Sequence, residues 1–285
     1  MNTYTLQWNS HSLALGDKTR IMGVLNVTPD SFSDGDDFFS FESAVEQAQK
    51  LIADGAHILD IGGESTRPFS EQVSIEEECR RVIPVIEAIA KHVSVPISVD
   101  TTKSEVAKQA LDAGASMIND VSALRSDPHM AEVAAGCGAP VILMHMKGTP
   151  KDMQIAPVYD DLMGEITAFL ENQIQYAVEK GIHRQKIIVD PGIGFGKTME
   201  HNLQIIKQLH LLEPLGVPIL IGSSRKAFIR KLLGEEEIHP QATAVETGSQ
   251  AAVSAAAMGG AHIVRVHDVA GTNSTLKIID AIRNV

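Results

Sequence analysis

The chain has 285 residues, 44% of them hydrophobic, and a net charge of −12 at neutral pH. This length fits one large domain or two small ones, and the acidic balance argues against a nucleic-acid partner, because phosphate backbones require a basic face. The first twenty residues lack the basic start and apolar core of a signal peptide, and no apolar run approaches membrane-spanning length. We therefore expect a cytoplasmic protein with no membrane partner.

Short apolar runs recur along the chain and predict strands. We predict eight of them, at residues 21–25, 57–61, 97–99, 116–118, 141–144, 187–189, 219–221 and 263–264. All eight runs are followed by a polar residue or a glycine, namely Asn26, Gly62, Asp100, Asn119, His145, Asp190, Gly222 and Arg265. If the strands are parallel neighbours, these residues meet at one rim around a pocket.

Segments with apolar residues three and four apart lie between the strands and predict helices. The residues Ser74 to Glu77 have the form of a capping box, which would open a helix towards Lys91 with a kink at Pro84. The other predicted helices are residues 43–53, 101–113, 128–135, 159–179, 199–212, 241–258 and 274–283.

Eight strand–helix units without a linker favour an α/β fold, a single-domain (β/α)₈ TIM barrel over residues 21–285. An open, doubly wound sheet is the alternative. Residues 1–20 fit no unit, and we expect them to form a β-hairpin extension that plugs the amino end of the barrel. The two cysteines, Cys79 and Cys137, are too few for a disulfide framework or a metal cluster, so we expect free thiols.

Two loops offer groups for an anion or a metal. Asn26 stands where the first strand meets its loop, and its amide oxygen suits Mg²⁺ that also holds a substrate phosphate. Arg67 follows Gly62 and Gly63 and could grip a phosphate through its fork of donors, or the segment could be a solvated turn. Near the carboxyl end, Arg265 and His267 alternate along a strand and share one face, which adds to an anion site.

Residues 190–198 nearly match a nucleotide phosphate loop. Pro191 stands where the first glycine should be, and the carboxylate of Asp190 would repel phosphate. We interpret Asp190 as a reader of donor groups on a neutral heterocycle, with the glycines letting a flat ring lie close. We expect His145 to serve in packing.

Three further carboxylates fall near strand ends. For Asp60, Asp120 and Asp268 we expect helix capping rather than a place at the rim.

The loop motifs together resemble one family. Residues 26–35, 60–68, 190–197, 224–226 and 265–268 are similar to the signatures of dihydropteroate synthases, in the family's order, with Asp100 and Asn119 also in place. The resemblance implies a (β/α)₈ barrel, a homodimer, and a transferase of a non-methyl alkyl group in folate biosynthesis. Such an enzyme joins 6-hydroxymethyl-7,8-dihydropterin diphosphate to p-aminobenzoate and releases pyrophosphate after a dissociative step, with Mg²⁺ as cofactor.

The resemblance also implies roles for individual residues. Pterin would be bound by Asp100, Asn119, Met144, Asp190, Gly222 and Lys226. The diphosphate would be bound by Asn26, Thr66, Arg67, Arg265 and His267, with the metal on Asn26. The p-aminobenzoate pocket would be shaped by Phe32, Thr66, Arg67, Pro68, Phe195 and Lys226. The catalytic residues would be Asp100, Lys226, Arg265 and His267.

The sequence departs from the family pattern in two places. Phe69 and Ser70 replace a small glycine-containing turn, and Ala227 replaces a serine near the aminobenzoate. The second change predicts altered affinity for that substrate and for sulfonamide mimics. Neither removes a group needed for pyrophosphate departure, so we expect synthase activity to be retained.

Three other functions compete with this interpretation. A methyltetrahydrofolate:corrinoid methyltransferase would share pterin recognition, but Arg67, Lys226 and His267 supply a diphosphate clamp that it does not need. A non-catalytic pterin-binding barrel would not need Asn26, Asp100 and Lys226 intact. A nucleotide hydrolase built on the Gly192 loop is disfavoured by Pro191.

Overall fold

The computed structural model describes residues 1–27, 37–65, 72–148, 153, 157–234 and 237–285, and the side chains of all of these except 37–40. A parallel eight-stranded sheet forms its centre, in the order β8-β7-β6-β5-β4-β3-β10-β9. The strands are β3 Arg20–Asn26, β4 Ile58–Gly62, β5 Ile97–Asp100, β6 Met117–Asp120, β7 Val141–Met144, β8 Ile187–Asp190, β9 Leu220–Ile221 and β10 Ile263–Val266. A parallel bridge between Val189 and Ile219 joins the two ends of this order. The sheet therefore closes, which confirms the barrel and excludes the open sheet.

Nine α-helices lie in the described part of the chain. They are α1 Asp37–Ala53, α2 Ile75–Ala90, α3 Ser104–Asp112, α4 Met130–Cys137, α5 Leu162–Glu179, α6 Met199–Lys207, α7 Ala227–Leu232, α8 Thr243–Met258 and α9 Val269–Arg283. The prediction missed α7, because six residues carry too little periodicity to be recognised. It also started α9 five residues late, where Asp268 caps the helix by accepting a hydrogen bond from the Gly271 N–H.

Helix α2 begins as predicted but without the second half of a capping box. The Ser74 hydroxyl accepts from the Glu77 N–H at 3.2 Å. The Glu77 carboxylate instead binds Arg80 and Arg81, at 2.8 and 2.7 Å. The helix continues through Pro84 to Ala90.

The first two strands, β1 Tyr4–Trp8 and β2 His11–Leu15, form an antiparallel hairpin. The hairpin buries Leu6, Trp8, Leu13 and Leu15 against inward-facing side chains of the barrel. Burial of each such side chain contributes about 1.5–3 kcal/mol. The hairpin therefore closes the amino end of the barrel, as expected, while the division of the chain after residue 20 stays a prediction.

Two layers fill the barrel interior. The barrel floor, next to the hairpin, consists of Met22, Ile58, Met117, Ile142, Ile188, Leu220 and Ile263. Because alternate residues of a strand face the same side, the next inward residues lie two positions later. We call these residues, together with Asp100, which lies two positions after the buried Ser98, the barrel mouth: Val24, Asp60, Asp100, Asn119, Met144, Asp190, Gly222 and Arg265. One layer is apolar and the other is mostly polar.

Two further predictions concerned the cysteines and membrane-spanning segments. Cys79 and Cys137 are both free thiols. Among the helices of the described residues, none has both the length and the apolar character needed to cross a membrane.

Candidate active site

Strand register brings the predicted residues side by side at the carboxyl end of the barrel. Asn26, Gly62, Asp100 and Asn119 are successive partners across β3, β4, β5 and β6. On β7 and β8, Met144 pairs with Asp190. A cleft of about 340 Å³, including its open mouth, is lined by Asp100, Asn119, Val121, Met144, Asp190, Ile193, Phe195, Gly222, Lys226 and Arg265. The cleft thus gathers all six residues that were predicted to bind pterin, whose roles remain predictions.

Two of the cleft residues, Asp100 and Arg265, form an ion-pair cluster with Asp60. The Arg265 Nε donates to Asp60 Oδ2 at 2.6 Å, and its Nη2 donates to Asp100 Oδ2 at 2.7 Å. Asp60 is fully buried. The expectation that Asp60 caps a helix is therefore wrong. Its inward position, two residues after Ile58, is the signal that could have placed it in the barrel mouth.

The cluster perturbs the ionisation of Asp100. Burial raises the pKa of this carboxyl to about 7, against the opposing charge of Arg265 and with help from Asp60, Glu78 and Asp120. In addition, Asp100 Oδ1 and Asp60 Oδ1 are buried and accept no hydrogen bond from the described residues. An unpaired buried acceptor costs about 1–3 kcal/mol. Of these two residues only Asp100 lines the cleft, so its side of the cleft suits a ligand with an N–H donor.

Asp190 is also buried at the base of the cleft. Burial raises its pKa, and the Gly192 N–H together with the charges of Lys226, Lys197 and Arg265 oppose that rise. The Gly192 N–H donates to Asp190 Oδ1 at 2.7 Å. This bond fixes the orientation of the carboxylate.

The glycines after Asp190 allow close packing against protein rather than against a ring. A Cβ on Gly192 would collide with the carbonyl oxygen of His145, and one on Gly196 with that of Lys147. Both glycines have positive φ, at +74° and +65°. The expectation that these two glycines let a flat ring approach is wrong, because the backbone after β7 occupies that space.

The nearby Lys197 supports the same loop. Its Nζ lies 3.0 Å from His145 Nδ1 and 2.9 Å from the Phe195 carbonyl oxygen. Burial lowers its pKa to about 7. The ring of His145 also packs edge-on to Phe169, with 4.9 Å between centroids. His145 is therefore a packing residue, and Lys197 is committed to the protein instead of to a nucleotide phosphate.

Lys226 reaches the cleft from a turn in a rare backbone conformation. Arg225 has a φ of +58°. Its Nε donates to Glu246 at 2.6 Å and its backbone N–H to the Ser249 hydroxyl at 3.0 Å. Helix α8 thereby holds the turn, which aims the Lys226 ammonium at the face of Phe195, 4.2 Å from the ring centroid.

His267 is the first residue after β10. Its Nδ1 is 3.1 Å from the Ser224 Oγ, and its backbone N–H donates to the same oxygen at 3.3 Å. Serine and histidine thus connect the ends of β9 and β10 at the rim.

Four predicted residues, Phe32, Thr66, Arg67 and Pro68, lie outside the described residues. The root of the second loop is described and well anchored. The carbonyl oxygen of Gly63 accepts from Arg81 at 2.8 Å, and Lys103 pairs with Glu64 and, at 2.5 Å, with Glu78.

Two lining residues were missed from the sequence. Val121 and Ile193 belong to the loops after β6 and β8 and supply apolar walls. Neither carries a polar group or a periodic position that would mark it.

The sequence is similar to those of known pterin-binding proteins. A sequence model of the family described as "Pterin binding enzyme" matches residues 22–267. A curated dihydropteroate synthase from Synechocystis is 48% identical over 94% of this chain and 91% of its own length.

Solved structures agree with the sequence comparison. Xanthomonas albilineans dihydropteroate synthase with 4-aminobenzoic acid is 45% identical, with a TM-score of 0.92 and full coverage of both chains. The same enzyme has been solved with 7,8-dihydropteroate, at 44% identity and a TM-score of 0.88 over 99% of each chain. The Yersinia pestis enzyme in a sulfonamide complex is 44% identical, with a TM-score of 0.91 over 98% of this chain and 99% of that one.

Proposed function

The chain belongs to the dihydropteroate synthase family and is a transferase of folate synthesis, and from that premise we propose how its own residues carry out the reaction. The cleft at the carboxyl end of the barrel holds the pterin of 6-hydroxymethyl-7,8-dihydropterin diphosphate. The amine of p-aminobenzoate replaces the diphosphate there. The products are 7,8-dihydropteroate and pyrophosphate.

The pterin is recognised by acceptors deep in the cleft. The aminopyrimidinone edge presents an amino group and a ring N–H, which a carboxylate can accept as a pair, and Asp190 fits that part. Asn119 and Asp100 meet the adjacent ring atoms, and Lys226 donates to the carbonyl side. Met144, Gly222 and the missed residues Val121 and Ile193 enclose the ring. The observation that carries this proposal is that two buried carboxylates, Asp190 and Asp100, line one cleft.

The chemical step breaks the bond between the exocyclic methylene carbon and the diphosphate oxygen, and the electron pair leaves with the diphosphate. The Asp100 carboxylate stabilises the carbocation that develops at that carbon. Arg265, His267, Thr66 and Arg67 hold the diphosphate. The nitrogen lone pair of p-aminobenzoate then forms the new C–N bond, and the nitrogen releases a proton to water.

Magnesium is proposed to enter with the diphosphate. Within the described ranges, no group of three or more His, Cys, Asp or Glu side chains could hold a metal ion. Asn26, half-buried at the end of β3, offers a single amide oxygen. That fits a hard cation that takes most of its other ligands from phosphate and water, and when bound it would offset the charge of the diphosphate.

The second substrate is proposed to bind nearer the opening. Phe195 and Lys226 form one side of that pocket, and their cation–π contact joins an apolar wall to a positive charge that suits a carboxylate. Phe32, Thr66, Arg67 and Pro68 complete the pocket in this proposal. The complexes of the Xanthomonas albilineans and Yersinia pestis relatives with 4-aminobenzoic acid and with a sulfonamide support it.

The test is a coupled assay of dihydropteroate formation with magnesium. Purified protein should release pyrophosphate and form dihydropteroate only when both substrates are present. A chain that binds pterin without turnover would be a non-catalytic barrel. Methyl transfer to cobalamin would indicate the corrinoid alternative. Either result would overturn the proposal.

We also propose that the protein is a homodimer and is cytoplasmic. Helix α9 exposes Ile278 and Ile282, at 64% and 57% of their surface, which is unusual for large apolar side chains in a monomer. Light scattering that gives the mass of a single chain at micromolar concentration would rule out the dimer.

A further inference from the structure

The buried carboxylate of Asp60 carries an inference beyond the proposed reaction. Asp60 does not line the cleft, yet its Oδ2 accepts two hydrogen bonds from residues that do. One comes from Arg265 Nε at 2.6 Å and the other from Asn119 Nδ2 at 3.0 Å. Asp60 therefore touches the ligand only through its neighbours.

An amide has a donor end and an acceptor end, and its environment decides which way round it sits. An ionised carboxylate can only accept hydrogen bonds. If the Asn119 amide were flipped, its oxygen would face Asp60 Oδ2 at about hydrogen-bond distance and the two would repel. Because one N–H of the amide is donated to Asp60, the amide is held in this orientation, and its oxygen is the acceptor that Asn119 offers in the cleft.

We propose that Asp60 is a positioning residue that sets the order of donor and acceptor presented by Asn119, and that it thereby selects a 2-amino-4-oxo ring over the isomer with these two groups exchanged. This inference rests on the assignment of the cleft to a pterin. The acceptors Asn119 Oδ1, Asp100 and Asp190 all require N–H donors at the ring edge for hydrogen bonding. The exchanged ring would bring a carbonyl oxygen where an amino group is required.

The ratio of the dissociation constants of the two rings measures this selection. In Asp60→Asn, the new amide can donate or accept, so Asn119 is free to turn. We expect the preference for the 2-amino-4-oxo ring to fall by roughly 10- to 100-fold, the effect of one misdirected buried hydrogen bond. An unchanged ratio in a folded Asp60→Asn protein would overturn the inference.

A double variant that exchanges the residues at positions 60 and 119 controls for loss of folding. In the double variant Asp60→Asn with Asn119→Asp, the new amide can donate to the new carboxylate, and the count of charges is unchanged. The carboxylate then offers an oxygen to the cleft, so the preference should return to within about threefold of the parent protein. If the double variant folds and still shows the reduced ratio, the orientation argument is wrong.

A matched control is Asp280→Asn. Asp280 is a buried carboxylate near the amino end of the barrel, where it accepts from the Thr19 N–H at 3.1 Å and from Arg283 at 2.9 Å. Its replacement should lower stability but leave the ratio unchanged. If the parent protein itself binds neither ring, the proposed function fails instead of this inference.

The pH profile of turnover gives a second readout that a purely structural role would not move. Asp100 faces Arg265 of β10 and Asp60 of β4, with Glu78 of α2 and Asp120 of β6 nearby. Loss of the negative charge of Asp60 favours the ionised form of Asp100. The proposed stabilisation of the carbocation requires Asp100 to be ionised, so the acid limb of the pH profile should move to lower pH in Asp60→Asn and stay in place in Asp280→Asn.

Discussion

The barrel floor and the barrel mouth are built from the same strands, two residues apart, and differ in nearly every physical property. The floor is a set of fully buried apolar side chains sealed by the hairpin. The mouth holds an arginine, an asparagine and three carboxylates, with acceptor atoms of Asp60 and Asp100 left unpaired by the described residues. The floor stabilises the folded state, whereas the unpaired acceptors of the mouth destabilise it.

This contrast separates residues that stabilise the fold from residues that serve the ligand. Substitutions in the floor should lower stability and leave recognition intact. Substitutions in the mouth should weaken recognition and leave stability intact, because a buried, unpaired acceptor destabilises the protein unless a ligand donates a hydrogen bond to it.

The largest effect is expected from Asp190→Ala in the mouth. The variant loses the carboxylate proposed to accept two N–H bonds, worth about 3–6 kcal/mol together, so pterin binding should vanish in calorimetry. The free energy of unfolding should change little, since the loss of the hydrogen bond from the Gly192 N–H is offset by removal of the cost of burying the carboxylate. Affinity equal to that of the parent protein would contradict the role of Asp190.

On the same strand, Ile188→Ala tests the floor. This substitution opens a cavity under the hairpin and should cost about 2–5 kcal/mol of unfolding free energy in urea titrations. Pterin affinity of the folded variant should stay within about threefold of the parent, because contacts two residues away persist. A variant that lost affinity as completely as Asp190→Ala would show that the two layers are not separable.

The pH dependence of stability sharpens the comparison further. The pKa of Asp100 is about 7 in the folded protein against an ordinary value of 3.8. The folded state therefore holds the proton more tightly, and its stability should fall as the pH rises from about 4 to about 7. Thermal unfolding of Asp100→Asn across this range should lack that decline. An equal decline in both proteins would assign it to another group.

The smallest effect is expected from Ala227→Ser at the start of α7. The side chain of Ala227 is exposed beside Lys226. A serine there adds one hydroxyl near the proposed aminobenzoate pocket, so KM for p-aminobenzoate should change by less than about tenfold while kcat stays the same. A large change in kcat would place position 227 in the chemical step.

The sequence was sufficient where the signal is local. Apolar runs ending in polar residues predicted the eight strands, the closed barrel and the convergence of Asp100, Asn119 and Asp190. Prediction from the sequence failed where the hydrogen-bond partner of a residue is distant in the chain or where a helix is short. Asp60 was interpreted as a cap because its partner Arg265 lies 205 positions away.

The glycine loop, residues 190–198, also has partners that are distant in the chain. Its composition indicated a close approach, but composition does not say to what. The carbonyl oxygens of His145 and Lys147, which occupy that space, come from a different strand end. Helix α7 was missed because its six residues show no repeated apolar spacing.

A crystal structure of the protein with a 2-amino-4-oxo pterin is the most direct test of the division between floor and mouth. The ring should lie against Asp100, Asn119, Asp190 and Lys226, with its amino group towards Asp190 and with no contact to Ile188 or Ile263. A ring bound outside this cleft, or one with its carbonyl oxygen facing Asp190, would contradict the account.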